Sequence, residues 1–324
     1  MAYEVGTASS KSDLIGKFIT FAVANGWTQD RNSGIDTVAG ATIHKGTMYM
    51  SFRWRTADDD IAVYQSLGYD GSANVWDLPD DSGNGSTSAS VTTQRRIDGI
   101  GAGPYVSYHF FAHTNSLYGV VEYATGQYAH FGIGTLNKIG DWTGGEFCYA
   151  QVLANQASTA DTGNTLLLDA MYSVISGSNI KEGATIHVEG LPGQTGSGKW
   201  GHVGGWSNDV RTDPDFGNDQ AGVQREMIIG ATRRGLTLNN FAWFSASNLS
   251  GNIPLVALDV YHKRGDLTPD RVRKLGSMPD VYCLNMHYYN PGAEITIGGN
   301  DYVILPGWQK SSTRSKNMGF AYLK

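Results

Sequence analysis

The chain has 324 residues, of which 42 are glycine, 17% charged and 11% aromatic; it can bury a large core, and the mixture favours strands joined by turns over charged helices. Its two cysteines, Cys148 and Cys283, lie far apart with no C-x-x-C, which argues against a disulfide framework or a cysteine zinc site, and no run of about 18 apolar residues suggests membrane insertion. The net charge of −6 conceals a basic end, with 12 basic against 7 acidic residues from 221 to 324; this reads as solvated surface, and nucleic acid is not an expected partner.

In chain order, the opening MAYEVGTASSKSDL has neither the basic nor the apolar region of a secretory signal, so the chain is expected to be made in a cytoplasm. SSKSDLIGKFITFAVANGW predicts an amphipathic helix. Leu14, Ile15, Phe18, Ile19, Ala22 and Val23 fall on one stripe, Ser10 and Asp13 have capping-box spacing, and Gly26 supplies the stop. The stripe must be covered, by the chain's own sheet or by a neighbouring subunit. Leu14, Ile15, Phe18 and Ile19 are therefore candidate interface residues.

From Thr47 onward the runs are short, rich in β-branched and aromatic residues, and cut by Gly, Asn, Asp and Pro, as in TMYMSFRWR, YVSYHFFAH, LYGVVEY, EFCYAQVL, TIHVEG, IPLVALDVYHK and DYVILPGW. TLLLDAMYSVI fits a helix or a buried strand, and LTPDRVRKLG reads as a helical turn or linker. Asp77–Gln94 and Gly190–Gly222 read as long glycine-rich loops. The expectation is a mainly β chain of antiparallel sandwich or barrel domains with an N-terminal helix. Residues 1–160 would form one domain and 161–324 a second, or the two would share one core.

Several stretches offer chemistry. GQTGSGKW, Gly193–Trp200, matches the spacing of a phosphate-binding loop until Trp200 replaces the Ser or Thr that would hold magnesium, and its flanks lack the buried strand and helix such a loop needs. DDSGNG resembles the start of a calcium loop, but Val91 stands where the closing glutamate belongs. His109 and His113 would share a strand face but lack a third zinc ligand. GDWTGGEF puts Asp141 and Glu146 beside Trp142, a possible pair of glycosidase carboxylates. Trp200, Trp206, Trp243, Tyr288 and Tyr289 are candidate contacts to a sugar or a protein partner. None of these motifs is complete, so no catalytic, metal or nucleotide site and no cofactor is expected.

YAHFGIGTLNKIGDWTGGEF, Tyr128–Phe147, resembles a signature of tailed-bacteriophage virion proteins in which an H-x-G-x-G-x-L-x-K strand runs into G-D-W/Y-T-G-G. KLGSMPDVYCLNM (Lys274–Met286), NPGAEITIGGNDYVILPGWQK (Asn290–Lys310) and GFAYLK (Gly319–Lys324) agree with it. The resemblance covers roughly a quarter of the chain and transfers no catalytic residue. It implies a non-enzymatic structural subunit of a phage particle, in the tail tip or baseplate. Such a subunit would assemble as a symmetric homo-oligomer and join other tail or head-tail proteins. The alternative is a module that binds a host receptor or surface glycan.

Overall fold

A computed structural model of the chain describes residues 1–72, 74–75, 77–80, 95–97, 99–150, 152–153, 163–164, 184–189, 200–203, 226–229, 255–264, 271–286, 289–307 and 318–324. The first elements are β1 (Ala2–Ala8), α1 (Lys11–Ala24), β2 (Thr28–Asn32), β3 (Ala41–Lys45), β4 (Met48–Trp54), β5 (Ile61–Ser66) and β6 (Arg95–Ile97). Then come β7 (Tyr105–Ala112), β8 (Ser116–Ala124), β9 (Gln127–Thr135), β10 (Asn137–Lys138), β11 (Thr143–Ala150), β12 (Val152–Leu153), β13 (Gly163–Asn164) and β14 (Ala184–Glu189). The chain ends with β15 (Trp200–Val203), β16 (Glu226–Ile229), β17 (Val256–Arg264), β18 (Arg271–Asn285), β19 (Ala293–Ile297), β20 (Asn300–Pro306) and β21 (Met318–Leu323).

The helix begins where Ser10, in extended backbone, accepts the N–H of Asp13, whose carboxylate in turn takes the N–H of Ser9. It stops at Asn25, and Gly26, at φ +85°, turns the chain so that Trp27 N–H reaches the carbonyl of Ala22. Leu14, Ile15, Phe18, Ile19, Phe21 and Ala22 are buried, while Val23, assigned to the same stripe by its spacing, is 45% exposed.

Strands β2 to β6 pair in chain order as an antiparallel meander. The larger sheet runs β1-β7-β8-β9-β11-β14-β15-β16-β17-β18-β21-β20-β19, with β10 paired to β18; among the described residues its pairings are antiparallel except β15 with β16, which is parallel. That path begins on β1 and ends on β19, so it forms no closed barrel.

Strands β7, β8, β9 and β11 carry apolar residues on both faces, because the pleat sends alternate side chains to opposite sides. Phe110, Leu117, Val121, Phe131 and Cys148 enter a first core with α1 and the meander; Phe111, Tyr118, Val120, Phe147 and Tyr149 enter a second core with β17, β18, β20 and β21. The second core therefore takes residues from both sides of position 160. Phe18 joins the first core by packing its ring 4.8 to 5.7 Å from those of Phe131, Phe110 and Phe52.

Two local expectations are corrected. The stretch LTPDRVRKLG does not end in a turn or linker: residues 271–276 form the start of β18, where pairing with β17, the Lys274–Asp259 ion pair at 2.7 Å and the buried Leu275 override the weak local signal. Nor is 190–222 wholly loop, since residues 200–203 form β15. TLLLDAMYSVI and the loop residues 81–94 lie outside the described residues.

Candidate functional site

The helix candidates Leu14, Ile15, Phe18 and Ile19 are buried within the chain, covered by its own meander and by β7 and β9. The aromatic candidates are not gathered at one place that can be described. Trp206, Trp243 and Tyr288 lie outside the described residues, and Tyr289 is half-buried against Leu284, Met286, Tyr302 and Ile304. Trp200 opens β15, donates its indole N–H to the carbonyl of Asp80 at 3.0 Å, and holds its ring 5.5 Å from that of His187.

The geometry also answers the motif readings. Residues 193–199 of the phosphate-loop match lie outside the described residues, but from them the chain enters strand β15, where that loop would need a helix N-terminus to add its amides and dipole. Of DDSGNG only Asp80 is described. His109 and His113 are both buried. The hydroxyl of Tyr3 lies 2.9 Å from His109 Nδ1, and burial pulls the His109 pKa down to about 4 and lowers that of His113. Trp142 is buried in the second core, giving its indole N–H to Ile139, so it presents no open face for a sugar; Asp141 beside it is exposed, and Glu146 faces elsewhere.

Among the described residues, serine, histidine and aspartate meet in Ser116, His113 and Asp280. There the Ser116 hydroxyl donates to the Asp280 carboxylate at 3.1 Å, and His113 Nδ1 is 3.9 Å from the same oxygen. The hydroxyl is thus bound to the acid instead of the imidazole, and no base stands ready to activate it. Together with Tyr118, whose hydroxyl donates to the carbonyl of Pro279 at 2.7 Å, the group ties β8 to the bend of β18.

The most developed polar constellation is one that sequence reading met only in part. In β11 the register against β14 slips between Gly144 and Phe147, and Gly144 and Gly145 have φ near +107°. A side chain at Gly144 would strike the carbonyl of His187. This bulge turns Glu146 towards the meander. There its Oε1 accepts the Thr47 hydroxyl at 2.6 Å and its Oε2 lies 2.8 Å from His187 Nδ1; His187 Nε2 is 2.8 Å from Glu189 Oε1. Side-chain exposure is 12% for Glu146, 8% for His187 and 36% for Glu189.

Burial works against both charges, raising the carboxyl of Glu146 and lowering the imidazole of His187. The hydrogen bonds win in each case: Glu146, held by His187 and Thr47, stays below its usual range, and His187, held by Glu146 and Glu189, is raised. The arrangement can store a buried positive charge between two acids. It presents no nucleophile: the Thr47 hydroxyl is spent on Glu146. Glu146 is visible in GDWTGGEF; His187 and Glu189 carry the i, i+2 spacing of one strand face in TIHVEG, a signal too common to single them out.

Among the described residues, no group of three His, Cys, Asp or Glu side chains is arranged to hold a metal ion, and no helix is long and apolar enough to cross a membrane. The chain matches no protein-family model and no curated protein sequence.

Proposed function

We propose that this chain is a structural subunit of a tailed-bacteriophage particle, in the tail tip or baseplate, which assembles with copies of itself, joins adjacent virion components and breaks no bonds. The observation that carries the reading is the pair of open sheet edges. Among the described strands, β1 and β19 are the two ends of the long sheet, and each pairs on one side only. They lie at a shared rim, because Lys324 Nζ sits 5.4 Å from the ring centre of Tyr3 in β1 and 2.7 Å from a carboxylate oxygen of Glu294 in β19.

Exposed apolar residues mark both strands, Val5 at 55% and Ile297 at 43%. Ala293–Ile297 carries no proline, lysine or bulge to blunt the edge, and its one charge, Glu294, is paired with Lys324. A second copy that adds a strand there satisfies the backbone and covers the apolar side chains.

The resemblance to virion proteins supports the same reading through packing. Its four segments fall on β9 to β11, β18, β19 with β20, and β21; β10 pairs β18, and β21 lies between β18 and β20. Leu136, Trp142 and Phe147 from the first segment share the second core with Leu275, Val281, Leu305 and Phe320 from the others. The layered arrangement of the two cores fits an antiparallel sandwich.

Sedimentation of the purified chain across a wide concentration range tests the proposal. The expected result is a discrete oligomer that Ile297→Lys or Val5→Lys, both at exposed sites, shifts towards monomer without loss of fold. A wild-type chain that remains monomeric throughout, and that does not join particles lacking it, would overturn the reading.

A further inference from the structure

We propose that Glu146, His187 and Glu189 form a pH-operated latch, which holds the outer end of β14 and the start of β15 closed while the imidazole is doubly protonated and releases them when it loses a proton. The geometry supplies the reason. Both ring nitrogens lie 2.8 Å from carboxylate oxygens, and a carboxylate only accepts. A neutral imidazole carries one N–H, so it can satisfy one of the two acids and must turn a lone pair on the other.

The groups that face the ring come from three strands. Glu146 approaches from β11, Glu189 from the ring's own strand, and the described residue opposite it on β15 is Trp200, paired at His187↔Trp200. Behind Glu146 stands Thr47, in the turn between β3 and β4, so the latch spans from the long sheet to the meander. The inner end of β14 is held differently: Thr185 donates its hydroxyl to Gln65 of β5 at 2.8 Å, a bond that does not titrate. Release is therefore confined to the half of β14 from His187 onward and to the residues of β15 that pair with it.

The sign is set by the two directions of shift. His187 is raised, so its contribution is complete below the ordinary imidazole value and is lost as pH rises through its own. Glu146 is lowered, so its contribution is present above the ordinary carboxylate value and is lost as pH falls through its own. The latch is shut between those limits and opens on the alkaline side as the imidazole gives up its proton. This inference does not depend on the assembly reading, because the clasp lies within one chain.

Histidine-selective 15N labelling of the full chain, titrated by NMR, reads the protonation of the ring directly. Hydrogen-exchange protection factors and Trp200 fluorescence read the opening. The expected result is two protonated ring nitrogens below the midpoint, and a midpoint above the roughly 6.5 of a free imidazole. Protection at Val188, Glu189 and Trp200 should fall about tenfold or more with that midpoint, while Thr185 and Ile186 keep theirs. Glu146→Gln should move both midpoints down together by about one pH unit or more, a tenfold loss of proton affinity. If that variant fails to fold, the wild-type titration decides alone. A ring that titrates at or below 6.5, or protection that stays flat through its titration, overturns the proposal. So does loss of protection at β8 and β9 in step with β14.

Discussion

At Gly119, Gly132 and Gly134 the absent side chain is what the fold uses. Each faces an aromatic residue in the cross-strand register: Gly119 opposite Phe131, Gly132 opposite Tyr118 and Tyr149, and Gly134 opposite Phe147. A Cβ added at Gly119 would lie 2.2 Å from the ring of Phe131, and one at Gly132 would lie 2.5 Å from Tyr118. Those rings are fully buried and cannot move aside, so Gly119→Ala is expected to cost about 1–3 kcal/mol as overpacking. Gly16, in α1, has nothing within 4 Å of the same added atom, and Gly16→Ala should stabilise by about 0.5–1 kcal/mol through helix propensity. Urea denaturation of the two variants should move the midpoint in opposite directions. Glycine content by itself suggests turns; that these glycines are seats for rings depends on which residue stands across the sheet, and composition carries no such information.

Among the elements, α1 shows how local sequence and packing divide the work. Its start is a local matter, since Ser10 and Asp13 satisfy backbone donors within one turn. Ser10→Ala is expected to cost about 1 kcal/mol, with the native fold kept. Its cover is a tertiary matter. Phe18 touches rings from β4, β7 and β9, so Phe18→Ala should cost about 3–5 kcal/mol, measurable as a lower thermal midpoint and a loss of protection in the first core. A loss for Phe18→Ala no larger than that for Ser10→Ala would contradict this packing. The exposure of Val23 beside buried Ala22 has the same cause: at about 100° per residue the stripe has an edge, and the shape of the sheet beneath decides where it falls.

For the molecule as a whole, the buried histidines set the response to acid. His130 donates from Nε2 to the carbonyl of Pro306 at 2.8 Å, and its Nδ1 lies 2.8 Å from the hydroxyl of Tyr322, which can donate to it when the ring is neutral. Burial brings its pKa down to about 3 and that of His109 to about 4, and lowers His113 as well. For each, the unfolded chain binds a proton below about 6.5 while the folded chain does not, so stability falls as pH drops, by up to about 1.4 kcal/mol per unit per histidine. His187 does not add to this loss, because its shift has the opposite sign. Unfolding midpoints measured from pH 7 to pH 4 should therefore decline steadily, and His130→Phe should lessen the slope if it folds. A level profile would mean that these rings are not held neutral.

The mainly β character is readable in short runs of β-branched and aromatic residues divided by Gly, Asn and Asp, because strand preference and turn chemistry act over a few neighbouring positions. Glu146 is visible in the same way, as an acid in a glycine-flanked turn. Its partners are not: Thr47 is 99 positions away and His187 41, and they meet because a bulge in β11 redirects one side chain and the meander closes over it. The assignment of alternate residues to two separate cores, and the burial of Leu14, Ile15, Phe18 and Ile19 inside the chain, also come from long-range pairing. Contacts of that range are stable only when many strands are in place at once, so no short window of residues encodes them.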